Sequence, residues 1–313
     1  MRFLAVAPFV AVAIAQAACA AIFSEAQAQS RAAASTPCGT TRVVTIYDSH
    51  GLSSFGDALD GWYVSLPDVE VVSYTLGGAS APWLFRNSGS PRGHFFRNCG
   101  GKPLVRRDQF KKESLRTPDL AQVLDAAAGQ YRRQVFVFVL GSNTPGMPSV
   151  NTEPARQVLK LLRKYPNVAC VWVGPPTMRK SSPLFVEAVY AAIRAGIAKG
   201  ANDAAAGFEG VAPETTQGCL MIDSRPFSTY PEGGDGVHYG FGKAARAASR
   251  FWSDHVVTLI REGTGLGDPD AQPPAGLHLA GDSDPGSPWG APDEVFRERR
   301  LYVRGLPPQG PGP

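Results

Sequence analysis

Histidine is scarce in this chain, five residues in 313, and none of the five stands at the spacing of metal ligands, so no metal site is expected. Cysteine is equally scarce and forms no C-x-x-C pair, which points away from zinc-ribbon or thioredoxin-like chemistry. The G-x-S-x-G elbow of α/β-hydrolases is missing. Excess charge is small, +4 from 31 Lys+Arg against 27 Asp+Glu, and gives no ground for a nucleic-acid partner. A composition of 43% hydrophobic and 19% charged residues excludes a wholly disordered, collagen-like or coiled-coil chain. Nothing here calls for a cofactor.

Both ends depart from a globular pattern. Met1-Arg2, an uncharged apolar run from Phe3 to about Ile14, and small residues ending in Ala26-Gln27-Ala28 predict an export signal over residues 1–28. The product would be periplasmic or secreted. A retained anchor is the alternative, since the weakly polar run reaches Phe23, but Pro8, Gln16 and the many alanines make a poor span. Gln16 also occupies the place where a lipobox at Cys19 needs an aliphatic residue. No stable membrane insertion is therefore expected once the signal is cleaved. Residues 263–313 hold 10 Gly and 10 Pro in 51 positions, the composition of a disordered tail. Residues 29–262 remain as one domain.

Loss of the signal removes Cys19 and leaves Cys38, Cys99, Cys170 and Cys219. Cys170 and Cys219 fall on predicted strands and can pair if those strands are neighbours; Cys38 and Cys99 then pair by elimination. Free buried thiols are the competing possibility.

Apolar runs at Val43–Tyr47, Val69–Thr75, Gln134–Leu140, Asn167–Val173 and Cys219–Asp223 predict five strands, nearly continuous in apolar residues, as in strands covered on both faces. Helical spacing separates them: Leu52, Phe55, Leu59 and Trp62; Leu161 and its neighbours; Val186, Val189, Ile193 and Ile197. A last helix after His238 aligns Phe241, Ala245, Ala248, Trp252, Val256 and Leu259. Alternating strands and helices predict a three-layer α/β/α sandwich with a five-stranded parallel sheet. Its chemistry belongs in the loops after the strands.

Those loops carry an ordered polar set: Tyr47-Asp48-Ser49-His50-Gly51 after the first strand, Gly77-Gly78 after the second, Gly141-Ser142-Asn143-Thr144 after the third, and Gly233 to His238 before the last helix. Singly these are ordinary caps and turns. Together they supply a mechanism. A serine hydroxyl needs a base such as imidazole to take its proton, and the imidazole needs a carboxylate to fix its tautomer. Asp235 and His238, three apart at a helix start, can deliver both from one turn. The backbone N–H groups of Ser49 and Gly78 and the amide of Asn143 can hold the oxyanion.

In these four segments the chain resembles the SGNH hydrolase (GDSL-type esterase/lipase) superfamily over about residues 42–260. The resemblance implies the flavodoxin-like fold of that superfamily. It makes Ser49 the nucleophile and first oxyanion donor, Gly78 and Asn143 the further donors, and Asp235 with His238 the remainder of the triad. Tyr47, His50 and Thr144 depart from the family pattern at the positions of the G in G-D-S, the following Leu and the Asp of G-x-N-D, which argues against its lipase-like and thioesterase-like branches. The Asp-Ser-His string is similar to family members acting on O-acyl groups of glycans. Gly281-Asp282-Ser283 repeats the family string in the tail, but no strand precedes it and no D-x-x-H follows.

The expectation is thus an exported esterase taking acyl, above all acetyl, groups from a cell-envelope or extracellular glycan. An acyltransferase with the same machinery and a catalytically silent glycan-binding module are the alternatives. Asp48, His50, Trp83 and Arg86 are candidate substrate contacts. Between Arg86 and Arg116 nine Lys or Arg face two acids, so this segment carries +7 and the rest of the chain −3. It is expected as a long connection, either a basic roof beside Gly78 or a solvated cover loop pinned by Cys99.

Overall fold

The computed structural model describes residues 37–144, 146–206, 218–232, 234–239 and 242–268, so the expected export signal and all but the first six residues of the expected tail lie outside the described residues. In chain order the elements are β1 (Thr41–Tyr47), α1 (Ser54–Ser65), β2 (Val69–Leu76), β3 (Gly89–Cys99), β4 (Lys102–Arg116), α2 (Leu120–Asp125), β5 (Arg133–Val139), α3 (Thr152–Leu162), β6 (Val168–Val173), α4 (Pro183–Ala206), β7 (Cys219–Ile222) and α5 (Lys243–Thr264). Among the described residues no helix is long and apolar enough to cross a membrane.

The strands form one sheet in the order β4-β3-β2-β1-β5-β6-β7. The five strands expected from the sequence are its parallel part. Their order is the doubly wound one in which the chain reverses direction of growth at β1. Side chains alternate between two cores because successive residues of a strand face opposite sides. Along β5, Val135, Val137 and Val139 pack under α1 and α5, with Phe55, Leu59, Trp252, Val256 and Ile260. Phe136 and Phe138 face the other way onto α3 and α4, with Val158, Leu159, Val189 and Ile193.

The sheet has seven strands rather than five. The segment 86–116 is neither a roof nor a loop but an antiparallel hairpin on the β2 edge. Charge disguised it, yet an edge strand needs only partial cover and tolerates Lys and Arg. The two-residue turn is Gly100-Gly101, with φ of 57° and 78°, the left-handed pair that a tight hairpin turn requires. Cys99 lies opposite Glu70 and Gly93 opposite Leu76, so this turn sits at the end of the sheet away from the strand carboxyl termini. Arg97, one of the nine basic residues of this segment, is 3% exposed and bonds its Nε to Glu70 Oε1 at 2.7 Å. Removing one member of such a buried pair costs about 3–5 kcal/mol, so Arg97 holds the hairpin onto β2.

Both expected disulfides are present. Cys170 and Cys219 are register partners on β6 and β7, and Cys38–Cys99 ties the start of the domain to the hairpin. Helix α5 buries Ala245, Ser249, Trp252, Ser253, Val256, Ile260 and Thr264, a stripe rotated from the expected one through Ala248 and Leu259; Phe241 lies outside the described residues. The helix passes the expected boundary at 262, stops at left-handed Gly265, and Leu266 re-enters the core at 1% exposure.

One packed carboxyl sets a pH dependence. Asp60 on α1 accepts hydrogen bonds from Tyr47 and Ser73, both at 2.8 Å. Burial raises its pKa from 3.8 to about 6. Between these values the folded protein keeps a proton that the unfolded chain has released, so stability falls as pH rises through the window. Asp60→Asn keeps the accepting oxygen and removes the titration. Urea denaturation is expected to show the variant gaining about 1–3 kcal/mol on wild type at pH 7.5 and little at pH 4; an equal offset at both pH values would contradict the assignment.

Candidate active site

The carboxyl end of β1 presents Ser49. Asp48 continues the β1–β5 ladder through its N–H to Val139 O at 3.0 Å, and its Oδ1 caps the 3₁₀ turn Ser49–Leu52 by accepting from His50 N. Gly51 lets that turn fold back on the strand, since a Cβ there would stand 2.4 Å from Tyr47 Cβ. Ser49 is therefore held at the first position of a tight turn, with its side chain directed at the loop before α5.

That loop brings Asp235 and His238 together. Asp235 Oδ1 accepts from the backbone N–H groups of Val237 and His238, both at 2.8 Å, while Oδ2 lies 2.5 Å from His238 Nδ1. His238 Nε2 lies 2.9 Å from Ser49 Oγ. The hydrogen bond from His238, helped by the two backbone donors and opposed by partial burial, holds the Asp235 carboxyl well below the usual carboxylate range. Asp235 is thus an anion that accepts Nδ1–H and leaves the Nε2 lone pair facing the serine hydroxyl. Both side chains are nearly half exposed, 46% for His238 and 49% for Asp235.

Gly78 follows β2 with φ of 81°, a conformation that L side chains rarely adopt. Asn143, in the loop after β5, donates one amide hydrogen to Ala79 O at 2.7 Å, tying its loop to the turn that carries Gly78. An amide has a second donor to offer. The N–H groups of Ser49 and Gly78 donate to no acceptor among the described residues. Three donors therefore lie in the loops at the carboxyl ends of the adjacent strands β1, β2 and β5.

Of the four residues expected to touch substrate, Arg86 is exposed and Trp83 packs partly into the core. Asp48 and His50 are 0% and 1% exposed, so they stand behind Ser49 and His238 and are closed off from solvent. The fold buries them because Asp48 is drawn into the sheet ladder and His50 lies beneath Val237.

The structure adds residues that the sequence did not single out. Tyr230 hydroxyl accepts from Gly236 N at 2.7 Å and donates to His238 O at 3.0 Å, bracing the turn from within. The loop after β6 clamps it from outside: Arg179 donates to Gly234 O, Lys180 N donates to Gly236 O, and Tyr239 hydroxyl donates to Thr177 O. Tyr230-Pro231, shortly before Asp235, was the one visible hint. Among the described residues no three His, Cys, Asp or Glu side chains are grouped to hold a metal ion.

No family model and no curated protein matches the sequence. Solved structures of similar shape include a candidate SGNH hydrolase from Slackia heliotrinireducens, 14% identical over 71% of this chain and 100% of that one, with a TM-score of 0.42. A DUF4886 family protein from Bacteroides uniformis is 12% identical over 76% of this chain and 89% of that one, at 0.40. A peptidoglycan O-acetylesterase is 12% identical over 76% and 96%, at 0.34.

Proposed function

We propose that this protein is an exported serine esterase of the SGNH type that removes O-acetyl groups from a cell-envelope or extracellular glycan. The observation that carries the reading is the relay from Ser49 Oγ to His238 Nε2 and from His238 Nδ1 to Asp235, with every link at hydrogen-bond distance. In the reading, Ser49 Oγ attacks the ester carbonyl as His238 takes its proton. The tetrahedral oxyanion lies among the N–H groups of Ser49 and Gly78 and the Asn143 amide. His238 returns the proton to the leaving sugar hydroxyl, the acyl-enzyme forms, and water activated by the same imidazole releases acetate.

Two features support the finer assignment. The triad is open, so an acetyl group standing on a bulky polymer can reach Ser49 without the polymer entering the protein, and water can reach the acyl-enzyme. Arg86, Arg179 and Lys180 are exposed on the loops around the site and give it a positive rim suited to an anionic glycan.

A fluorophosphonate probe tests the reading directly: it is expected to label wild-type protein and not Ser49→Ala, and wild type is expected to release acetate from acetylated envelope polysaccharide. Labelling without acetate release would reject the substrate class, acetyl transfer to an added oligosaccharide faster than to water would favour the transferase, and neither labelling nor hydrolysis would leave the silent glycan-binding module.

A further inference from the structure

Beneath the triad lies a second imidazole and carboxylate. His50 Nδ1 is 3.0 Å from Asp48 Oδ1, and the Asp48 and His50 side chains are each 1% exposed. On the opposite edge of the ring His50 Nε2 is 3.3 Å from the carbonyl oxygen of Val237, the residue before the catalytic histidine. Neither nitrogen is needed by the relay described above.

A neutral ring fits this setting badly. With the proton on Nδ1, the Nε2 lone pair faces a carbonyl oxygen; with the proton on Nε2, the Nδ1 lone pair faces a carboxylate oxygen. Only the doubly protonated ring donates to both. Placing the extra proton on Asp48 is the remaining option, but Asp48 Oδ1 already accepts the His50 backbone N–H at 2.9 Å and so faces both His50 donors as an acceptor. Among the described residues, the other neighbours of the His50 ring bring no Lys or Arg. Ser142 Oγ, from the loop after β5, lies 3.2 Å from Nδ1 and can accept a share of its proton. Tyr239 stands edge-on at 6.3 Å, and Trp252 of α5 does so at 5.6 Å between ring centroids. The titratable groups facing His50 are thus Asp48, Tyr239 and His238, whose ring centroid is 5.9 Å away.

We propose that His50 is a buried imidazolium, held by Asp48, whose Nε2–H grips the Val237 carbonyl and so positions the loop carrying the catalytic base. His50 is a positioning residue. Its role rests on the esterase reading, whereas its charge does not. The turn carrying Ser49 and the turn carrying His238 come from opposite ends of the domain, and this bond joins them across the back of the site.

Two measurements test it. In the full chain with ¹⁵N-labelled histidine, long-range ¹H–¹⁵N correlation at pH 8, assigned with His50→Gln, is expected to show both His50 nitrogens protonated; one unprotonated nitrogen would overturn the proposal. In kinetics, His50→Gln keeps an N–H near the place of Nε2, and His50→Leu fills the space without a donor. The Leu variant is expected to lose at least tenfold more kcat than the Gln variant at similar KM and similar melting temperature. In His50→Gln the acid limb of kcat/KM should also move to higher pH, because a positive charge whose ring lies 5.9 Å from that of His238 is deleted. Should His50→Gln alone misfold because Asp48 loses its cation, Asp48→Asn/His50→Gln is compared with Asp48→Asn/His50→Leu instead. Equal losses in the Gln and Leu variants would reject the positioning role, and an unmoved limb would reject the charge on His50. Wild type inert to the fluorophosphonate sinks the esterase reading alone, and the NMR result then decides the charge of His50 by itself.

Discussion

Replacing Ser49 or His238 by alanine is expected to lower turnover of an acetyl ester by about 10⁴- to 10⁶-fold, and the double variant should be no worse than the poorer single one. In the proposed mechanism the two side chains act as one unit, the proton of Oγ passing to Nε2 across 2.9 Å, so losing either end forfeits the whole step. Asp235→Asn should cost about 10⁴-fold for a different reason. Asp235 binds on two sides, Oδ1 to the backbone N–H groups of Val237 and His238 and Oδ2 to His238 Nδ1. An asparagine that keeps its oxygen on the backbone donors presents an NH₂ group to Nδ1. The imidazole must then accept there and carry its proton on Nε2, where it can no longer take one from serine. All three changes lie on exposed or half-exposed side chains outside the cores, so melting temperatures should stay close to wild type. Single-turnover and steady-state assays on a small acetyl ester, beside thermal unfolding, measure both quantities. Activity within a factor of ten of wild type in any of the three would remove that residue from the mechanism.

The parallel core was legible because burial on both faces forces near-continuous apolar runs, and such runs as Val135 to Leu140 leave few other readings. The hairpin was not. Its strands read Gly89-Ser90-Pro91-Arg92 and Lys102-Pro103-Leu104-Val105-Arg106-Arg107, and a rule that looks for apolar runs passes over strands so interrupted by charge and proline. Gly100-Gly101 was the available sign, since paired glycines between two chain segments mark a tight hairpin turn. The same charges suggested a basic roof beside Gly78 that Arg97 cannot join, because the sequence does not reveal that Glu70 lies beside it at the other end of the sheet.

At the candidate site, the polar residues at strand ends were visible because they fall where apolar runs stop, and the structure brings Ser49, Asp235 and His238 within hydrogen-bond distance. What the sequence concealed was depth. Asp48 and His50 flank Ser49 in the chain, and adjacency suggested a shared surface. A tight turn at the end of a buried strand instead sends alternate side chains to opposite sides, Ser49 outward and its neighbours into the protein. The bracing residues Tyr230, Arg179 and Lys180 were also hidden, as their contacts are made largely to backbone atoms of the 234–239 loop, and backbone partners leave no residue pattern to read.

Asn143→Ala is expected to lower kcat by about 10²- to 10³-fold with KM nearly unchanged. A developing oxyanion needs donors already aimed at it, and a donor used only in the transition state affects kcat rather than substrate binding. Two of the three donors proposed here are backbone N–H groups, of Ser49 and Gly78, which substitution cannot delete; Asn143 supplies the one that it can. The residue also anchors the Gly78 turn through its bond to Ala79 O, and alanine loses both functions at once. Gly78→Ala separates them. It retains its N–H and Asn143, but asks an L residue to hold φ of 81° in otherwise open space. The resulting strain, about 1–2 kcal/mol, should lower stability or shift the turn, and activity should fall by no more than about tenfold to thirtyfold. If Asn143→Ala instead left kcat intact and raised KM, the amide would be a ground-state contact and the oxyanion would rest on the two backbone donors alone.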